Sequence, residues 1–301
     1  MARQPRLARF FMSLVRTSAC KVNLVLNLLG LRTDGFHELE TLFFPVPLTD
    51  QLLFDVAPSG VELTCSRPDL PVDGTNLVCR AAASWFEASR LDGGVRIHLE
   101  KRLPIAAGLG AGSANAAATL LGLNELFGHP LSASQLGDLA ARLGSDVNFF
   151  LQPNPALAFG RGERIEPVAP FSCLSGKALL LFHPGFGVST PWAYKALAEF
   201  PQNRNGQPGR AQAVASALAQ GDLSGAVSGW YNALEAPVLR KYPILALYQQ
   251  FLRESGALGS LMSGSGSSTF ALFESLDQAR AVEPGFREQF GSEGWLQVVE
   301  L

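Results

Sequence analysis

With 301 residues, 47% of them hydrophobic, the chain is long enough for one large domain or two ordinary ones and too apolar for general disorder. Its 26 acidic and 24 basic residues are intermixed and leave a net charge of −2, so bulk electrostatics point to neither nucleic acid nor a membrane surface as partner. The four cysteines, Cys20, Cys65, Cys79 and Cys173, form no C-x-x-C pair and no zinc spacing, and read as buried, reduced thiols of a cytoplasmic protein.

The opening "MARQPRLARFFMSLVRTSA" has four early arginines but neither a signal-peptide apolar core nor an A-x-A site. Residues 1–17 are expected to be a flexible extension, or translation to start at Met12. Residues 20–29 alternate as a strand, with Val22, Leu24, Leu26 and Leu28 on one face and Lys21, Asn23 and Asn27 on the other. A turn at Asp34-Gly35 leads into "FHELETLFFPV", a hairpin-like return. "DQLLFDVAP" and "GVELTCS" read as further strands. "TNLVCRAAASWFEAS" reads as a helix capped by Thr75, and "GVRIHLEKRLP" as a strand ending at Pro104. A glycine-rich loop and a helix from about Ser113 to Phe127 follow. Next comes a helix capped by Ser132 or Ser134 and closed by Gly144, then two short strands around a turn in "ALAFGRGERIEPV".

The second half opens with "KALLLFHPG", the apolar run of a strand buried on both faces. "PQNRNGQPG" (201–209) reads as an exposed, flexible loop. "RAQAVASALAQGD", "LSGAVSGWYNALE" and "YPILALYQQFLRESG" read as helices, and "LGSLMSGSGSSTFALFES" as strand, glycine turn, strand. A last helix and strand end the chain. Strands and helices intersperse without strict βαβ alternation, which predicts an α+β fold in two halves, 1–165 and 166–301. No apolar segment reaches the roughly 18 residues needed to span a bilayer.

The chemistry concentrates in "LPIAAGLGAGSANAAATLLGLN" (103–124). It fails the dinucleotide fingerprint, because the third glycine falls on Ser113 or Asn115, and no Gly-Lys-Ser or Gly-Lys-Thr exists for a Walker A loop. What remains is a glycine-serine loop entering a helix N-terminus, which suits a di- or triphosphate but equally a tight turn. A second such turn, 263–268, precedes an apolar strand; spacing alone leaves open whether the two converge on one ligand.

"KVNLVLNLLGLRTDGFHELETLF", "LPIAAGLGAGSANAA", "LGSDVNFFL", "GRGERIEPV" and "MSGSGSSTFALF" occur in the order found in the GHMP kinase superfamily, and the chain resembles that superfamily from about residue 17 onward. The "K-V-N-L…D-G-F-H-E-L" and "YNALEAPVLRKYPIL" segments are similar to its branch acting on a cytidine diphosphate-linked erythritol in non-mevalonate isoprenoid synthesis. The resemblance implies a two-domain GHMP kinase fold. Its first half would be like a ribosomal-protein domain and its second half an α/β sandwich. It implies ATP and Mg²⁺ as cofactors, a small-molecule acceptor phosphorylated on its 2-hydroxyl, neither nucleic acid nor membrane as partner, and a monomer or weak homodimer. A homoserine- or mevalonate-type kinase and a non-catalytic relative are the alternatives. Departures include Ala19 for a usual proline and Ala106, Ala107, Ala111 and Ala114 where glycine or serine is usual.

By the same resemblance Asp146 is the catalytic base and Lys21 its cationic partner. Their bland readings are an N-cap for "VNFFL" and a surface lysine on an edge strand. ATP would lie along Pro104, Ile105, Ala106, Ala107, Gly108, Leu109, Gly110, Ala111, Gly112, Ser113 and Ala114. Asn76, Lys101 and Asn115 would stand by adenine or ribose; Asn76 could instead cap a helix. Ser113 would face the phosphates or Mg²⁺, or cap its own helix. Asn23, Phe36, His37, Thr190 and Tyr194 would hold the acceptor. Phe36 and Tyr194 would stack on the base, with Trp192 as a rival to Tyr194, and His37 would hydrogen-bond it. An H-E-x-x-H zinc site is excluded at His37-Glu38 because the second histidine is missing.

Overall fold

The computed structural model describes residues 13–301. The extension expected over 1–17 lies outside the described residues as far as residue 12. Residues 13–17 form the start of β1 (Ser13–Leu31), paired with Asp55 through Gln51 of the next strand. β2 (His37–Ala57) is a single 21-residue strand, so the two apolar runs predicted as separate strands are continuous through "PVPLTD". One strand serves because its two halves find different partners. Gln51 to Ala57 pair with β4 (Gly94–Glu100), itself bordered by β3 (Gly60–Cys65), while Leu39 to Phe43 pair with β5 (Ala156–Gly160) and, beyond it, β6 (Arg164–Pro167). The β1–β2 register shifts at Ala19/Cys20 and Asn23/Val25, on either side of Lys21 and Asn23. Such bulges re-aim side chains next to functional sites.

Helices α1 (Leu77–Ser89), α2 (Ala111–Leu126) and α3 (Ala133–Leu143) pack over β2 and β4 through a core that includes the fully buried Trp85, Phe54 and Ile97. Burying each such side chain contributes about 1.5–3 kcal/mol. Asn76, not Thr75, caps α1, accepting from the Val78 N–H; Thr75 is occupied with Asp73 instead. Ser132 caps α3 in a reciprocal capping box with Gln135. Twelve of the sixteen α2 residues are buried, and its alanines let it lie close against the sheet, which fixes the loop that feeds it.

In the second half β7 (Ala178–His183) is buried along its whole length, as its composition predicted. α4 (Thr190–Ala196), α5 (Pro201–Arg204), α6 (Arg210–Ala219) and α7 (Leu223–Ser228) follow. The helix predicted through "LSGAVSGWYNALE" is broken. α7 stops at Gly229, β8 (Tyr231–Asn232) runs parallel to Val25 and Leu26 of β1, and α8 (Glu235–Lys241) starts afresh. α9 (Ile244–Glu254), β9 (Gly259–Met262), β10 (Thr269–Phe273), α10 (Leu276–Phe290) and β11 (Trp295–Glu300) complete the chain. The second sheet has the order β11-β7-β10-β9. Leu180, Phe182, Ala271 and Phe273 on one face meet α8, α9 and α10. Leu179, Leu181, Phe270 and Leu272 on the other join Cys20, Val22 and Leu24 of β1 and Val214 of α6 in one core.

The segment 201–209 is not the free loop its polar, glycine-rich composition predicted. The Gly206 N–H donates to the Leu28 carbonyl at 2.7 Å, Asn205 bridges to Leu29, and the Asn27 amide donates to the Gln207 carbonyl. The buried Glu40 carboxylate then accepts from the Gly209 and Ala211 N–H groups. Partners almost two hundred residues away order it, and composition carries no trace of them.

Candidate active site

A cleft of about 500 Å³ runs between the glycine-rich loop and α4. The loop leaves β4, passes Lys101 and enters α2 at Gly110. Ala106, Gly108 and Gly110 all take positive φ, at 53°, 77° and 69°. Glycine is required at two of these positions. A Cβ on Gly108 would lie 2.0 Å from the Ser263 carbonyl oxygen, and one on Gly110 2.9 Å from the Phe150 ring. Ala106 holds the left-handed conformation with a side chain, which costs roughly 1–2 kcal/mol.

The contact at Gly108 answers whether the two glycine turns converge. The Ser263 hydroxyl donates to the Gly108 carbonyl at 3.0 Å and the Ser268 N–H to the Ala107 carbonyl at 3.3 Å. Gly264 and Ser265 of the second turn reach the cleft wall themselves. Gly110 caps α2 without a side-chain bond, so the first N–H groups of that helix face the cleft beside Ala111, Gly112 and Ser113. Ser113 therefore does not cap the helix; it is the third residue of α2, within its first turn, on the cleft wall. The helix dipole and these unpaired donors make the end an anion site.

Lys21 is 3% exposed, which removes the surface-lysine reading: on the side of β1 away from β2 its backbone N–H donates to the Leu109 carbonyl of the glycine-rich loop. Its ammonium donates to Asn23 Oδ1 at 2.6 Å and to the Gly108 carbonyl at 3.3 Å, and lies 3.5 Å from Asp146 Oδ2. Burial pushes the Lys21 pKa down, and the Asp146 carboxylate opposes that. Asn23 is held in turn by donating to the Thr41 hydroxyl. Asp146 precedes the short 3₁₀ turn Asn148–Leu151 and caps nothing there, and its side chain is about one-third exposed to the cleft.

At one end of the cleft stand Leu70, Pro71, Thr75, Asn76 and Lys101. The Asn76 side chain is engaged twice, accepting from Val78 and donating to the Pro71 carbonyl. Lys101 and Asn115 both bind Asp50, a fully buried carboxylate that also accepts the Arg102 and Leu103 N–H groups at 2.8 Å. Asp50 thus ties the start of the loop to α2. The sequence reading missed it, since a single aspartate opening a strand carries no signal of partners some fifty residues on.

At the other end are Val188, Thr190, Tyr194, Leu234, Arg161 and Gly162. Thr190 is hydrogen-bonded to Ser265 of the second turn at 2.7 Å. Tyr194 lines the cleft, whereas Trp192 does not; it packs against Tyr242 under Lys241. Burial and the charge of Asp146 both push the Tyr194 pKa up. Phe36 and His37 stand at the rim rather than in the wall. The His37 ring lies 5.4 Å from that of Tyr194, and Phe36, 53% exposed, carries the Arg161 guanidinium at 4.9 Å. Burial lowers the His37 pKa, and Nε2 of its ring is buried without a partner.

A glycine loop feeding a helix N-terminus, a lysine–carboxylate pair beside it and a second lobe closing the cleft define a small-molecule kinase of the GHMP type. The GHMP kinases N terminal domain family matches residues 76–152 and the GHMP kinases C terminal family residues 195–292. A 4-diphosphocytidyl-2-C-methyl-D-erythritol kinase from a Synechococcus strain is 42% identical over 278 residues, covering 90% of this chain and 88% of its own. The enzyme of the same name from Pelotomaculum thermopropionicum is 42% identical, covering 92% and 94%. A crystal structure of 4-(cytidine 5'-diphospho)-2C-methyl-D-erythritol kinase superposes with a TM-score of 0.77 at 37% identity, covering 96% of this chain and all of its own. Homoserine kinase from Cytophaga hutchinsonii, at 20% identity and a TM-score of 0.74, shares the fold. The chain belongs to the 4-diphosphocytidyl-2-C-methyl-D-erythritol kinase family within the GHMP kinases, and is an ATP-dependent kinase.

Proposed function

We propose that the chain transfers the γ-phosphoryl group of ATP to the 2-hydroxyl of 4-diphosphocytidyl-2-C-methyl-D-erythritol in the cytoplasm, releasing the 2-phosphate and ADP. The observation that carries this reading is the placement of Lys21 and Asp146. Their charges are 3.5 Å apart, with the Gly108 carbonyl of the loop on one side and Tyr194 on the other. Asp146 accepts the proton of the acceptor hydroxyl as its oxygen attacks the γ-phosphorus. Lys21 orients that carboxylate and stabilises charge developing on the attacking oxygen. The loop from Pro104 to Ala114 and the α2 N-terminus take the phosphates, with Asn76 and the strand end at Lys101 on the adenine side. Asn23, Thr190 and Tyr194 position the acceptor, and Phe36 and His37 receive its base at the rim. The division near residue 165 separates a nucleotide half from the half that closes over it; the two family matches fall on either side of it.

Mg²⁺ fits this site in the manner of phosphate-borne magnesium. Among the described residues no cluster of three acidic, histidine or cysteine side chains forms a dedicated cage. The Ser113 hydroxyl and the phosphates would hold the ion, which supplies charge neutralisation.

The test is ADP release by wild type and Asp146→Asn against the cytidyl alcohol, homoserine and mevalonate. Turnover is expected with the first alcohol only, and the variant should lose roughly a hundredfold to ten-thousandfold in kcat. Turnover with homoserine or mevalonate alone would overturn the acceptor, and an undiminished variant would overturn the base.

A further inference from the structure

The cleft wall carries four charged residues: Lys21, Lys101, Asp146 and Arg161. Lys101 is paired with the buried Asp50. Lys21 and Asp146 are paired with each other, so they bring no net charge. Arg161 is different. Its ionic contact is with Glu163 Oε1 at 3.8 Å from Nε, beyond hydrogen-bond reach, and among the described residues its guanidinium makes no hydrogen bond. The other Glu163 oxygen accepts the backbone N–H of Arg161 at 2.6 Å, so that carboxylate braces the turn rather than the guanidinium.

The turn itself is built to present this side chain. The Gly162 N–H donates to the Phe159 carbonyl, Gly160 takes φ +75° and Arg161 stays out of the positive-φ region. That is a hairpin turn with glycine at its first central position and arginine at its second. The guanidinium then lies on the Phe36 ring at 4.9 Å, which limits its rotamers and leaves its edge donors open. Arg161 shares the wall with Asp146, Thr190 and Tyr194, the end opposite Asn76 and Lys101.

We infer that Arg161 grips the diphosphate of the acceptor; this rests on the acceptor reading above. A ligand carrying two phosphate charges at that end meets a carboxylate already paired with Lys21, and among the charged residues of the cleft wall Arg161 is the one cation without a carboxylate at hydrogen-bond or close ion-pair distance. A planar fork of donors suits two neighbouring phosphate oxygens in a way a point charge does not. The "G-R-G-E" turn, which phosphate loop and catalytic pair leave without a role, becomes the acceptor's charge-recognition element.

The experiment is calorimetric titration with cytidine 5'-diphosphate and with cytidine, in the presence of saturating non-hydrolysable ATP analogue. Wild type, Arg161→Gln and Arg161→Lys are compared. Arg161→Gln should weaken the diphosphate roughly ten- to hundredfold and cytidine less than about threefold, since charge-assisted bonds contribute more than neutral ones. Arg161→Lys should recover only part of the loss, and the salt dependence of diphosphate binding should shrink in Arg161→Gln. An equal loss on both probes would make Arg161 a stacking residue and overturn the inference, as would no loss on either. Wild type that binds neither probe would overturn the acceptor reading and this inference with it. Should Arg161→Gln not fold, judged by its affinity for the ATP analogue, the diphosphate-to-cytidine ratio in Arg161→Lys decides the same question.

Discussion

Lys21 is an ammonium buried between β1 and the glycine-rich loop, and its environment sets what it can do with pH. Burial is the larger influence on its pKa and lowers it; Asp146 raises it by less. Between the depressed value and the ordinary 10.5, the folded chain binds fewer protons at this site than the unfolded one. The sign is therefore that stability contributed by this group rises with pH across that window, while the charged form needed for catalysis is lost. We expect kcat/KM for the acceptor to fall on an alkaline limb whose midpoint lies below 10.5, because that ratio reports free-enzyme ionisations. A profile flat to the limit of folding stability would remove the cationic role of Lys21. The residue itself was legible in the sequence through the "K-V-N" resemblance, but its burial was not. Alternation gave Lys21, Asn23 and Asn27 a polar face without saying what covers it. Loop 104–110 covers Lys21, and the 201–209 segment covers Asn27.

At the scale of elements, the sequence identified most strands and helices by periodicity, and failed where an element depends on a distant side chain. Glu40 is the clearest instance. It sits on β2, 3% exposed, and accepts from the Asn27 amide and from the Gly209 and Ala211 N–H groups. It thus caps α6 in place of Gly209, which has no side chain to do so. Reading "PQNRNGQPG" by composition yields a loop, because nothing within nine residues announces a carboxylate 169 positions away. Asp50 escaped notice for the same reason, and so did the splitting of "LSGAVSGWYNALE" around β8, which exists only because β1 offers an edge. Glu40→Ala should strand the buried Ala211 N–H and one Asn27 amide hydrogen, uncap α6 at the exposed Gly209, and destabilise the fold by about 2–4 kcal/mol. Denaturant unfolding measures that loss. Limited proteolysis should show faster cleavage within 201–209 than in wild type, and equal cleavage would mean the segment is held by Leu28 and Asn27 alone.

The two halves of the molecule are joined by more than a covalent link. One core combines Cys20, Val22 and Leu24 from the first half with Leu179, Leu181, Phe270 and Val214 from the second. The backbone follows the same logic, since β8 from the second half pairs in the first sheet and Asn232 at its end donates to the Met262 and Gly264 carbonyls of the second glycine turn. The cleft lies along this junction, with Ser263 and Ser268 of one half bonded to Gly108 and Ala107 of the other. Separating the halves would expose the shared core and leave the Gly108 and Ala107 carbonyls short of their donors, so neither half retains its site without the other. Unfolding should therefore be one cooperative transition despite the chain's length, with calorimetric and van 't Hoff enthalpies in agreement. Because phosphates would bind the shared loop, an ATP analogue at a hundred times its Kd should raise the whole transition, stabilising the fold by about 2.7 kcal/mol, rather than splitting it. Two resolved transitions, with only one shifted by the analogue, would show that the core and the twin turns do not couple the halves.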